Sequence, residues 1–149
     1  MTVVLYIALC LNISTFTDID HLRINYLKAP EDKVLCSEMI DILNARQKSP
    51  VELAYLGAFQ AISAKHEPNP FSKLASFREG KKNIERAIIK QPDNVEIRFI
   101  RLSIQKNAPG ILGYKSDISE DETFLRANYM SIDSIMLRRM VDQLINDKK

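Results

Sequence analysis

Tryptophan is absent from this chain, and glycine is scarce at four residues. With so few glycines, and six prolines, there is little room for long irregular loops, and the missing indole removes one common interface residue. An excess of charge of one sign is lacking as well. The formal net charge is only +2, so no global field draws in nucleic acid or an anionic membrane. Cysteine is limited to Cys10 and Cys36 and no C-x-x-C occurs, which gives no support to a zinc knuckle or a redox pair. His21 and His66 are the only histidines, and neither has a metal-ligand spacing such as H-E-x-x-H. No Walker loop, G-x-G-x-x-G or G-x-S-x-G appears. These absences point away from an enzyme and from any cofactor or metal.

Long hydrophobic runs are also missing, with one ambiguous exception. TVVLYIALCL near the start is an apolar run of about ten residues, too short to span a bilayer as a helix. Its length suits the core of a signal peptide, yet no Lys or Arg precedes it, the first being Arg23. Residues 1–16 are therefore read either as an export signal, which is slightly favoured, or as an apolar segment packed on the fold. Residues 17–149 form the single domain. The favoured localisation is accordingly exported, in the periplasm or cell envelope, over cytoplasmic.

What is present is the pattern of a globular helical protein. The chain has 149 residues, 46% apolar and 27% charged, enough for one domain that buries roughly 70% of its unfolded surface. Helix signals recur from Asp18 onward. A short segment, 18–28, carries Ile19, Leu22, Tyr26 and Leu27. Pro30 suits the first turn of a second helix reaching Ala45, which places Cys36 on a face with Leu35, Met39, Ile42 and Leu43 as a buried thiol. Ser49-Pro50-Val51-Glu52 is a capping box that starts a third helix, apolar all the way round and so enclosed by neighbours. The two prolines of HEPNPFS break the chain before a fourth helix, 73–90, with Phe77, Gly80, Ile84, Ala87 and Ile88 on one face. Gly80 costs that helix about 1 kcal/mol against Ala, unless a neighbouring backbone approaches closely.

In the fifth helix, opened by Asp93 with Glu96, Ile97, Ile100 and Ile104 oppose Val95, Phe99 and Leu102. Two opposed apolar faces place it between two layers; a strand is the competing reading of IRFIRLSI. The NAPGILGY stretch, 107–114, then interrupts the helices and must either plug the core or form a binding lip. SEDE opens a sixth helix, its carboxylates favoured by the helix dipole. A seventh runs over 132–146. The alternation of Asp117, Ser119 and Asp121 imitates a calcium loop, but Glu122 stands where the turn needs Gly and Asn128 where the last carboxylate belongs.

Leu56-Gly57 on the third helix, Gly80, Ile84 and Ala87 on the fourth, and Pro92-Asp93-Asn94 after it together resemble the helix pair of a tetratricopeptide (TPR) repeat. The HEPNPFS connection departs from that family's tight turn, and no second copy follows at the 34-residue period. The chain also resembles, through PDNVEIRF and NAPGILGY, a group of small, exported bacterial helical proteins of unknown function. The expected fold is thus all-α, a compact antiparallel TPR-like array of six or seven helices. The resemblance implies a non-enzymatic interaction module that holds a partner protein's segment in a helical groove.

Arg98, Arg101 and Gln105 share one edge of the fifth helix at i, i+3 and i+7. Their guanidinium groups can meet a carboxylate bidentately in a groove, or pair with acids of a neighbouring helix. With Leu112 and Tyr114 of the following loop they are the candidate partner contacts. A second reading is a carrier for a small anionic or lipid-like ligand, which requires an unfilled cavity near Tyr55, Phe59 and Phe99. The group Lys81, Lys82, Arg86 and Lys90 lacks interleaved aromatics, and nucleic acid is not an expected partner.

Overall fold

The computed structural model describes residues 19–147; the apolar run over 1–16 lies outside them. Among the described residues the fold is all-α: α1 (Ile19–Lys28), α2 (Lys33–Asn44), α3 (Pro50–His66), α4 (Pro70–Lys90), α5 (Val95–Asn107), α6 (Ile118–Asn128) and α7 (Ile135–Asn146). Short 3-10 turns, Gly110–Leu112 and Tyr129–Ser131, precede and follow α6. No described helix is long and apolar enough to cross a membrane.

Local chemistry places the helix starts. Ser49 accepts from the Glu52 amide while the Glu52 side chain accepts from the Ser49 amide, and Pro50 occupies the first helical position of α3. Several boundaries differ from the sequence expectation because another side chain wins the cap. Pro30 lies in a turn, and α2 starts later because the Asp32 side chain takes the Leu35 amide at 2.9 Å. Asn69 accepts from the Phe71 and Ser72 amides, so α4 begins at Pro70 and not at residue 73. The α3–α4 link is then only Glu67-Pro68-Asn69, and the long connection expected there does not exist. Asn94, and not Asp93, caps α5. Ser134 caps α7, leaving Ile132 buried in extended chain before it.

The α3–α4 pair makes the most extensive helix contact in the molecule. Gly57 and Gly80 sit at its crossing, where each backbone occupies the space a Cβ of the other would need. Helix α5 is central: every residue from Glu96 to Gln105 is buried, as its two apolar faces require. Tyr26 of α1 packs edge-on against Tyr55, Phe59 and Phe99, with ring centroids 5.9, 6.4 and 6.2 Å away. Cys36 is buried, its thiol donating to the Phe59 carbonyl at 3.2 Å, and burial pushes that thiol up to about 11. Ile42, expected on the same face of α2, is instead exposed.

Candidate functional site

The arginine edge of α5 faces inward onto α6. Asp121, fully buried, receives two parallel hydrogen bonds from Arg101, Nε to Oδ2 at 2.7 Å and Nη2 to Oδ1 at 2.8 Å. Arg98 donates to the same carboxylate at 2.8 Å, to Glu120 at 2.6 Å and to the Pro92 carbonyl at 2.6 Å. Gln105, with no exposed surface, donates to Asp117 at 2.9 Å. Burial alone would raise the Asp117 carboxyl, but hydrogen bonds from Ser116 and Gln105 and the charges of Arg101 and Arg98 hold it below the ordinary carboxylate range. Burial likewise opposes the charge on Arg101, and the Asp121 carboxylate more than offsets it. Bidentate, hydrogen-bonded pairing is the condition under which buried charges are tolerated.

Tyr114 completes this network from the opposite side. Its hydroxyl donates to Glu85 of α4 at 2.5 Å, its ring stands edge-on to Phe77, and Lys81 lies over its face. Glu85 also approaches Arg101 at 3.4 Å. Of the residues expected to meet a partner, Arg98, Arg101, Gln105 and Tyr114 are therefore brought together, but inside the fold, where they join α4, α5 and α6. The guanidinium groups, the Tyr114 hydroxyl and the Gln105 amide nitrogen have partners within the chain, while the buried Gln105 Oε1 has none among the described residues. Asp121 is the residue that sequence reasoning missed. Its alternation with Asp117 looked like an imperfect metal loop, whereas at i, i+4 the two carboxylates share the α6 face that meets the arginines. No described cluster of His, Cys, Asp or Glu could hold a metal ion.

A second buried carboxylate, Glu96, was read from sequence only as part of a cap. Arg23 of α1 grips it twice, at 2.8 and 2.7 Å, and the Tyr55 hydroxyl donates to it at 2.6 Å. Arg23 continues to Asp20 and to Ser134, so this network fastens α1, α3, α5 and the start of α7.

Leu112 has a different fate. With Ile111 and Pro109 it forms one lip of an apolar groove of about 770 Å³. The other walls are Tyr26, Leu27 and Pro30 from α1 and the turn after it, Ala61, Ile62 and Lys65 from α3, Pro70, Lys73, Leu74 and Phe77 from α4, and Ser103, Ile104, Asn107 and Ala108 from α5 and its end. Leu27, Lys73 and Ile111 on the rim are exposed, Ile111 almost completely at 95%. The loop 107–114 thus both plugs and lines: Tyr114 turns into the core, Leu112 lines the groove and Ile111 projects from it. Gly113 permits this division by taking a left-handed backbone, φ 61°. A smaller cleft of about 180 Å³ lies past Leu27, between Phe99, Met140 and Leu144. Tyr55 and Phe59 line neither space, since Tyr26 packs against both.

Compared with known proteins, the chain matches no family model, no curated protein and no solved structure.

Proposed function

We propose that the protein is a non-enzymatic interaction module of TPR-like type, and that its groove holds a segment of a partner protein. The observation that carries this reading is the open apolar groove bounded by α1, α3, α4, α5 and the 109–112 turn, set against a filled core. Leu27 and Ile111 offer apolar surface on the rim that an incoming segment would cover. The contacts assigned to the partner are Leu112, Ile111, Leu74, Phe77 and Leu27. Arg98, Arg101, Gln105 and Tyr114 hold the frame on which the groove is built. The carrier reading needs a cavity near Tyr55, Phe59 and Phe99; Tyr26 packs against the first two, and the cleft that Phe99 lines is about 180 Å³ against about 770 Å³ for the groove.

The test is photo-crosslinking of the full-length protein in its native cells, with benzoylphenylalanine placed at position 74 or 111. The expected result is adducts that map to one short segment of one protein, the same from both positions. Adducts with a lipid or another small molecule would overturn the reading in favour of a carrier.

A further inference from the structure

We infer that the segment held in the groove is an amphipathic α-helix with an acidic residue placed beside Lys73, an inference that rests on the groove reading above. Two observations carry it, and the first is hydrogen-bond accounting. Most of the groove wall is helix, and away from the helix ends its amides and carbonyls are bonded internally. At the lip, Pro109 has no N–H and the Leu112 amide is bonded to the Pro109 carbonyl. The polar side chains of the floor are already engaged: the Tyr26 hydroxyl donates to Ser103 at 2.7 Å, and Asn107 donates to the Ser103 carbonyl at 2.8 Å. Among the described residues no strand edge lines the groove. An extended segment buried here would leave its own amides and carbonyls unpaired, whereas a helix arrives with them already bonded.

The shape agrees with this. Helix α4 presents Pro70, Lys73, Leu74 and Phe77 at i, i+3, i+4 and i+7, and α5 presents Ile104 and Ala108 at i and i+4. Ridges with that spacing interlock with the ridges of another helix.

The second observation is charge. The groove lining contains two lysines and no carboxylate. Lys65 is paired with Glu31 at 2.7 Å. Lys73 is exposed, and no described residue pairs with it. A carboxylate on the flank of an incoming helix would meet Lys73 at the end of the groove nearest the α3–α4 turn, and a cation there would be repelled.

A displayed library of random 16-residue peptides, selected on the full-length protein and counter-selected on Leu74→Glu and Ile111→Asp, tests this. Both variants are first checked for a native circular dichroism spectrum; Ile111 is exposed enough that its substitution leaves the core intact. The expected groove-dependent peptides repeat apolar residues at i, i+3 or i+4, and i+7, carry Asp or Glu at one end, and gain helicity on binding. Lys73→Glu should weaken them about two- to fivefold at low salt, and the loss should fade at high salt. Peptides with alternating apolar residues or proline-rich sequences, or indifference to Lys73→Glu, would overturn the inference and leave the groove reading standing. If no peptide is recovered, or if all bind the two groove variants as tightly as the native protein, the groove reading itself falls.

Discussion

Gly57 of α3 and Gly80 of α4 meet backbone to backbone. A Cβ on Gly57 would stand 2.5 Å from the Gly80 carbonyl oxygen, and one on Gly80 would stand 2.6 Å from the Ala61 amide nitrogen. Both obstacles are backbone atoms, which cannot rotate aside. Gly57→Ala or Gly80→Ala should therefore cost about 1–3 kcal/mol through the forced separation of the helices. That equals or exceeds the gain of about 1 kcal/mol that alanine brings to a helix interior. Urea unfolding measures it; a net stabilisation by either substitution would show that the helices do not cross this closely. Gly110→Ala, with open space around it, is the control and should change little.

Asp121 holds two arginines with one carboxylate. Asp121→Asn should lower stability by about 3–5 kcal/mol, because it removes the buried carboxylate that both arginines share and leaves them only the more exposed Glu120, Glu85 and Asp117. Glu120→Gln, whose side chain is 64% exposed, should cost less than about 1 kcal/mol although it touches the same Arg98. Replacing Arg98, Arg101 and Asp121 together by apolar residues of similar volume should recover much of the loss. Equal effects from the Asp121 and Glu120 substitutions in denaturant titrations would contradict this placement.

Alkaline pH should unfold the protein through its tyrosines. Burial pushes the Tyr26 phenol up to about 12. Burial, then the carboxylates they donate to, push Tyr55 and Tyr114 higher still. A phenol whose folded value lies above the unfolded value of about 10 favours the fold fully below pH 10. That contribution is lost as pH rises from there through the folded value. Absorbance at 295 nm should show these phenols ionising together with the loss of helicity, and Tyr26→Phe should make stability less sensitive to pH above 10. Independent ionisation in a folded protein would refute it.

The two halves of the 107–114 loop should respond very unequally to substitution. Tyr114→Ala removes a nearly buried ring and should cost about 3–5 kcal/mol. Tyr114→Phe, which removes only the donor to Glu85, should cost about 1 kcal/mol. Ile111→Ala, at an exposed position, should shift stability by no more than about 0.5 kcal/mol. Thermal unfolding of the three variants would show whether the loop is divided in this way.

How far each feature could be read in advance follows from how local its cause is. The Ser49–Glu52 capping box and Pro50 act within one turn, and α3 starts where they place it. The two faces of α5 announced its burial between layers, and Gly80 announced a close neighbour. The start of α4 was misplaced because Asn69 and Pro70 looked like loop residues when they are a cap and a first helical position. The Arg98, Arg101 and Gln105 edge was visible as a set, but its destination was not. Both a partner's carboxylate and this chain's Asp121 satisfy a guanidinium equally well.

The sequence by itself determined that the chain is helical, where α3 begins, and which faces of α4 and α5 are apolar, since periodicity and caps act over a few residues. Only the tertiary structure decided that the arginines close on Asp121, that Glu96 turns inward to Arg23 and Tyr55, and that Leu112 and Leu74 border one groove. Those pairings join residues 20 to 73 positions apart along the chain. They depend on how the helices cross, which is set by close contact of whole surfaces and not by the spacing within any one helix.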